Sequence, residues 1–241
     1  MSGHSKWNNI KHKKEKTDAA KAGIFTKIGK EIAVAVREGG GDPNTNGKLR
    51  ELIAKAKANN VPNDNIDRAI RKSMEKGGAV YEEMTYEGYG PGGVAVIVEA
   101  ATDSKNRTAG DVRHFFSKYG GNLGSMGCVS FLFTEKGVIV IEDEDGEIGE
   151  DKLMEEALEA GATDFESGEG FFEIYTEPED VYAISSTLQE KGYTIASAER
   201  AKVPSTYVTL SAEEDVENMQ NLLDKLEDCD DITNVYHNWE N

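Results

Sequence analysis

The chain has 241 residues, of which 38% are hydrophobic and only 5 are prolines. This length accommodates two or three small domains, and the composition excludes a disordered protein because it supplies enough apolar surface for packed cores. The sequence has no apolar run of about 18 residues and no apolar secretory segment, so we expect a cytoplasmic protein with no membrane partner. Its two cysteines, Cys128 and Cys229, are far apart, which excludes a disulfide framework.

The net charge of −18 conceals a difference between two parts of the chain. Residues 1–76 contain 17 Lys and Arg against 9 Asp and Glu, a net charge of +8. Residues 77–241 contain 10 Lys and Arg against 36 Asp and Glu, a net charge of −26. This asymmetry is typical of a protein that binds a polyanion through its basic part, while its acidic part is repelled by the polyanion. Random variation of charge is the alternative on composition alone.

The N-terminal region is predicted to be a basic arm, residues 1–18, followed by a helical nucleic-acid-binding domain, residues 19–79. In the first helix, Ala19–Glu38, apolar residues recur at helical spacing along one face. Two shorter helices with narrow apolar stripes complete a three-helix bundle, and Met74 falls on the inward face of the last. The cations on the face of the first helix that the packing of the bundle does not require are Lys27, Lys30 and Arg37.

After Gly78 the apolar pattern becomes strand-like, beginning with a turn-rich lead, Tyr86–Gly93. Four predicted strands and two intervening helices form a domain that is split between residues 80–135 and 204–241. The predicted strands are Val94–Glu99, Cys128–Phe133, Tyr207–Leu210 and Ile232–Tyr236.

A second domain, residues 136–203, is inserted into the first. Its elements follow the order βαββαβ, which is that of a ferredoxin-like unit. The predicted fold is therefore α+β and multidomain. It consists of an N-terminal three-helix bundle plus two ferredoxin-like α+β domains, one inserted in the other.

The strongest functional signal is the density of cations in the arm. It continues along the following helices onto the candidate residues given below and onto Lys55, Arg68 and Arg71. Such side chains displace counterions from a phosphate backbone. Trp7 either stacks on an unpaired base or anchors the arm to the bundle, and both alternatives stay open. The candidate nucleic-acid-binding residues are Lys6, Trp7, Lys11, His12, Lys13, Lys14, Lys16, Lys21, Lys27, Lys30, Arg37, Lys48 and Arg50.

Other chemistry is not indicated by the sequence. Neither glycine-rich segment, 90–93 or 120–124, matches a nucleotide-binding loop, and the acidic segment 142–146 lacks the ligand spacing of a calcium loop. We expect His114 to be partly buried on a helix and Cys128 to lie in an apolar strand. No catalytic residue, metal site, cofactor or small-molecule substrate is expected, so the chain is predicted to be a non-enzymatic protein.

Several blocks of the sequence resemble the YebC/PmpR family. They are Gly3–His12, Phe25–Lys27, Arg37–Pro43, Tyr86–Val94, Asn106–Thr108 and Gly120–Gly124. The resemblance covers nearly the whole chain and implies a helical N-terminal domain followed by two α+β domains.

The resemblance also implies a function, that of a probable transcriptional regulator that binds DNA. Some family members instead resemble translation factors that act on ribosomes, including activators in mitochondria. The basic residues do not separate DNA from ribosomal RNA, because both partners present phosphate. A small-molecule sensor is a third hypothesis, for which the sequence shows no convergent polar pocket.

Overall fold

The computed structural model describes residues 18–75 and 77–240. Contacts divide the described chain into two units, one made of residues 133–205 and the other of residues 18–132 together with 206–240. The helices and strands are, in chain order, α1 (Asp18–Gly39), α2 (Gly47–Ala58), α3 (Asn63–Met74), β1 (Glu82–Tyr89), β2 (Ala95–Thr102), α4 (Lys105–Lys118), β3 (Asn122–Leu123), β4 (Phe133–Glu142), α5 (Glu150–Ala160), β5 (Asp164–Gly168), β6 (Phe171–Thr176), α6 (Val181–Glu190), β7 (Ile195–Pro204), β8 (Val208–Thr209), α7 (Glu213–Asp228), β9 (Ile232–His237) and β10 (Trp239–Glu240).

The first three helices form the predicted bundle, and the buried Asn46 joins two of them. Its side-chain oxygen accepts the N–H of Leu49 at 3.1 Å and caps α2, while its amide donates to the carbonyls of Ala35 and Gly40 near the end of α1. Met74 is 58% exposed, so the prediction of an inward side chain is wrong. The buried residues of the bundle are Ile28, Ile32, Ala35, Val36, Leu49, Ala56, Val61 and Ile66.

The split domain is a four-stranded antiparallel sheet in the order β3-β1-β2-β9. This is the ferredoxin-like strand order, except that β1 occupies the place of the third strand although it precedes the first in sequence. The first four residues of the turn-rich lead, Tyr86–Tyr89, are therefore the end of a sheet strand. The predicted strand Tyr207–Leu210 is reduced to β8, which pairs with β10 outside this sheet.

Helices α4 and α7 supply the core of this sheet, and α1 packs against β2 and β9. Because the side chains of a strand alternate between its two faces, β2 can face apolar partners on both sides, and nearly all of its residues are buried. The buried core residues are Val94, Val96, Val98, Val112, Phe116, Met219, Leu222, Leu223, Leu226, Ile232 and Trp239.

The prediction of a strand over Cys128–Phe133 is wrong. Residues 124–129 form turns, a short 3₁₀ helix covers Ser130–Leu132, and β4 begins only at Phe133. The reason is the buried carboxylate of Glu87, which accepts the backbone N–H groups of Gly127 at 2.8 Å, Val129 at 2.9 Å and Ser130 at 2.8 Å. These donors therefore point at one side chain and not at a neighbouring strand.

The inserted unit, residues 133–205, has the strand order β5-β6-β4-β7 with antiparallel neighbours. This confirms the predicted ferredoxin-like order. Helices α5 and α6 contribute to its core, whose buried residues are Ile139, Ile141, Leu153, Ala157, Phe172, Ile174, Val181, Ile184, Leu188 and Ala198.

The buried His237 in the split domain should make stability depend on pH. Its Nδ1 accepts the N–H of Trp239 at 3.3 Å, and no described residue pairs with its Nε2. Burial lowers its pKa from 6.5 to about 4, so the native state holds a neutral imidazole that protonates readily on unfolding. This contribution to stability is full above pH 6.5, and by pH 5 we expect a loss on the order of 2 kcal/mol.

Urea denaturation at pH 7 and pH 5, followed by the fluorescence of Trp239 in a Trp7→Phe background, measures this loss. His237→Gln should lower stability at pH 7 and remove most of the difference between the two pH values, whereas the same change at the exposed His114 should preserve it. An unchanged difference in His237→Gln would contradict the assignment.

Candidate nucleic-acid interface

Most of the predicted arm lies outside the described residues, namely Lys6, Trp7, Lys11, His12, Lys13, Lys14 and Lys16. Lys21 falls in the first turn of α1, where only the backbone is described. The candidate interface therefore has to be built from the bundle, where five of the predicted residues are visible. They are Lys27, Lys30, Arg37, Lys48 and Arg50.

Two of these cations are held by other parts of the same unit. The ammonium of Lys30 donates to the carboxylate of Asp231 at 2.7 Å, and its side chain is 12% exposed. Lys27 donates to the backbone carbonyl of Glu227. The expectation that packing does not require these side chains is therefore wrong. A helical stripe identifies the apolar face of α1, but it does not show that the opposite face meets a second domain.

The other three visible cations stay exposed. The guanidinium of Arg37 donates to the carbonyl of Tyr81 at 3.3 Å, and that of Arg50 donates to the carbonyl of Pro43 at 3.3 Å. Lys48 lies 2.8 Å from the carboxylate of Glu83 and 3.1 Å from that of Glu38. Exposed pairs of this kind contribute little to stability, so a polyanion can compete for these cations.

Helix α3 adds a cationic face that lies outside the candidate set. Arg68, Arg71 and Lys72 stand at helical spacings of three and four residues, and all three are exposed. Within the described chain, no carboxylate forms an ion pair with any of them, although Asp67 precedes Arg71 by one turn. They lie on the side of α3 opposite the buried Ile66, and helical periodicity is sufficient to predict this exposed position from the sequence.

A buried carboxylate connects the bundle to the split domain. Asp231 is 5% exposed and accepts from Lys30 at 2.7 Å, from Arg107 at 2.7 Å and from the hydroxyl of Thr108 at 2.9 Å. Burial alone would raise the pKa of Asp231, but these hydrogen bonds outweigh it and lower the pKa to about 2. Lys30 lies on α1 and Arg107 on α4, so one carboxylate ties the two elements together.

The prediction that His114 is partly buried is wrong, because it is exposed on α4. Cys128 is half buried in the turn that Glu87 organises. Across residues 18–75 and 77–240, no three His, Cys, Asp or Glu side chains come together as a metal site. Over the same ranges, no helix has the length and apolar character needed to span a membrane.

Two domain families together match nearly the whole chain. The TACO1/YebC protein N-terminal domain matches residues 5–76, and the TACO1/YebC second and third domain matches residues 81–239.

Individual relatives agree with this assignment. A protein of Acetivibrio thermocellus named probable transcriptional regulatory protein is 58% identical over 240 residues, which is 99% of each chain. A protein of the same name from Lachnoclostridium phytofermentans is 54% identical over the full length of both chains. The crystal structure of the conserved hypothetical protein Aq1575 from Aquifex aeolicus matches 94% of this chain with a TM-score of 0.81 and 44% identity, covering 93% of its own chain. The chain belongs to the TACO1/YebC family.

Proposed function

We propose that this protein is a non-enzymatic regulator of gene expression that binds nucleic acid, and that its partner is DNA, as in a transcriptional regulator. Its similarity to relatives named probable transcriptional regulatory proteins supports the regulatory part of the proposal. The excess of positive charge in residues 1–76 supports the nucleic-acid part.

The single observation that carries the proposal is the exposed cationic face of the bundle. Arg68, Arg71 and Lys72 share one side of α3 and form no ion pair within the described chain. Like charges one turn apart repel one another by a few tenths of a kcal/mol per pair, and Asp64 and Asp67, four residues before Arg68 and Arg71, offset only part of this repulsion. A phosphate backbone relieves this repulsion, and the release of its counterions favours binding.

A ribosome-associated translation factor that binds ribosomal RNA is the second candidate. It follows from the same cations, because RNA presents the same phosphate chemistry as DNA. The resemblance of some family members to translation factors favours its inclusion in the test.

Fluorescence anisotropy with a labelled 30-base-pair DNA duplex and an RNA hairpin of equal length, over a series of NaCl concentrations, tests the proposal. The variant Arg68→Glu/Arg71→Glu/Lys72→Glu should bind at least about tenfold more weakly, and its salt dependence should correspond to about three fewer phosphate contacts. The matched control reverses three exposed cations of the acidic body, Lys152, Lys191 and Lys225, to glutamate. This control changes the net charge equally and should bind as the wild type does.

A deletion of residues 1–17 measures the contribution of the arm in the same assay. If the deletion and the α3 variant both bind like the wild type, nucleic-acid binding is not the function. Sedimentation of a cell lysate at low and high salt then separates the two partners. Salt-sensitive migration with ribosomes, without binding to the DNA duplex, would replace the transcriptional proposal with the translational one.

A further inference from the structure

We propose that the exposed C-terminal half of α4 is a second phosphate-contacting surface, formed by Arg113, His114 and Lys118. This inference rests on the proposed function, because it assumes a nucleic-acid partner. It extends that function to a helix in the acidic part of the chain. From the charge distribution of the sequence alone, this part would be expected to repel a nucleic acid.

Positive charge is concentrated on this one helix. Residues 77–241 carry 10 Lys and Arg in 165 positions, and four of the 10 lie on the 14 residues of α4, where Asp111 is the single acid. In a body with 36 Asp and Glu, such a local excess of cations creates a patch that attracts polyanions. The four cations are Lys105, Arg107, Arg113 and Lys118.

The two halves of α4 use their cations differently. In the N-terminal half, Lys105 pairs with Glu82 at 2.6 Å, and Arg107 pairs with Asp103 at 2.8 Å and with Asp231 at 2.7 Å. These cations hold the helix in place.

The C-terminal half leaves its cations available. Within the described chain, no carboxylate pairs with Arg113 or with Lys118, whose ammonium lies 5.2 Å from the ring of Tyr119. Arg113 and Ser117, like His114 and Lys118, are one turn apart, so these four exposed residues form one continuous patch.

Packing does not explain this patch. The opposite face of α4 supplies Thr108, Val112 and Phe116, all fully buried, to the core. A cation in the last turn favours the helix dipole, which accounts for Lys118 alone, because Arg113 lies more than one turn from the end. The guanidinium of Arg113, the imidazole of His114 and the ammonium of Lys118 are donors suited to phosphate oxygens.

The connection to the bundle favours a nucleic acid as the occupant. Asp231 binds both Lys30 on α1 and Arg107 on α4, so the bundle and α4 are parts of one unit. A nucleic acid is long and charged along its whole length, so it is the class of partner that could bridge two basic surfaces of one unit, and each added contact would release further counterions. A short acidic peptide would not gain this advantage.

The test uses the full-length protein with the same DNA duplex and RNA hairpin. Arg113→Glu/Lys118→Glu should bind at least one of the two probes about tenfold more weakly, with a salt dependence reduced by about two phosphate contacts. Lys152→Glu/Lys225→Glu, which changes the net charge equally, should bind like the wild type. Arg113→Ala/Lys118→Ala should give a smaller loss of affinity in the same direction. This alanine variant replaces the glutamate variant if circular dichroism shows that the glutamate variant is misfolded.

Equal affinity of the α4 variant and its charge-matched control for both probes would overturn this inference. If the α3 triple variant still loses binding in that case, the proposed function stands and only the second surface is rejected. If neither variant nor the arm deletion affects binding, the proposed function fails first. If a ten-residue polyglutamate peptide competes more strongly than unlabelled duplex, nucleic acid is the wrong choice of partner. That result would indicate an acidic protein segment instead.

Discussion

Replacing Asp231 by alanine should lower the free energy of unfolding of the unit formed by residues 18–132 and 206–240 by about 3 kcal/mol. The carboxylate is buried and accepts hydrogen bonds from Lys30, Arg107 and Thr108. Its removal leaves the nearly buried ammonium of Lys30 without its closest acceptor, and breaking a buried ion pair costs about 3–5 kcal/mol. We expect the lower end of that range because Arg107 is half exposed and keeps its pair with Asp103.

Urea denaturation at pH 7, followed by Trp239 fluorescence in a Trp7→Phe background, measures the change. Asp230→Ala is the matched control, because Asp230 is the neighbouring residue, has an exposed side chain and holds Lys30 only through its backbone carbonyl. This control should shift stability by less than about 0.5 kcal/mol. Equal unfolding midpoints for the two variants would show that the network contributes no net stability.

Acid provides an independent check of the same network. Because the folded-state pKa of Asp231 is lowered from 3.8 to about 2, its ionised form stabilises the native state. That contribution is fully present above pH 3.8 and is lost as the pH falls toward 2. The Asp231→Ala variant should therefore lose less stability than the wild type over this interval.

The second large effect is expected at Glu87, where alanine should destabilise the segment 124–132 and lower the stability of its unit by about 2–3 kcal/mol. Three backbone N–H groups, one buried and two partly buried, lose their charged acceptor, and leaving a buried donor unpaired costs about 1–3 kcal/mol before relaxation. Burial alone would raise the pKa of Glu87, but these backbone bonds lower it overall, in agreement with an ionised acceptor. Relaxation toward water at the surface reduces the sum.

Hydrogen exchange at the amides of Gly127, Val129 and Ser130 reports this change locally. Exchange there should accelerate more than in the core strand β2, and chymotrypsin should cleave faster after Phe131, which is 73% exposed. Glu217→Ala is the control, since Glu217 is exposed in the middle of α7 of the same unit. Unchanged exchange at the three amides in Glu87→Ala would mean that the turn holds its shape without the carboxylate.

The split domain shows why the local sequence pattern does not predict every strand. β1 contains Tyr86-Glu87-Gly88-Tyr89, whose glycine is typical of a turn and whose glutamate is uncommon in strands. In the structure, Gly88 lies where a Cβ would approach the carbonyl oxygen of Asn122 to 2.6 Å, so glycine is required by the close neighbouring chain. Glu87 is buried because distant N–H groups surround it. Contacts with residues outside β1, and not the local sequence, explain why both residues belong to this strand.

Local patterns were sufficient to predict the elements whose apolar side chains repeat at a regular period. The stripe through Ile28, Ile32 and Val36 correctly predicted the buried face of α1, and the alternation of strands and helices correctly predicted the ferredoxin-like order of residues 133–205. These features are local, because the period of a helix or strand decides which side chains share a face.

The fold alone shows which polar side chains meet. Lys30 binds a carboxylate 201 positions away, and Arg107 binds the same carboxylate from 124 positions away. It also distinguished Lys27 and Lys30, which hold the unit together, from Arg68, Arg71 and Lys72, which remain exposed. A cation has the same sequence signature in both roles, since its role depends on whether folding brings an acceptor within hydrogen-bond distance.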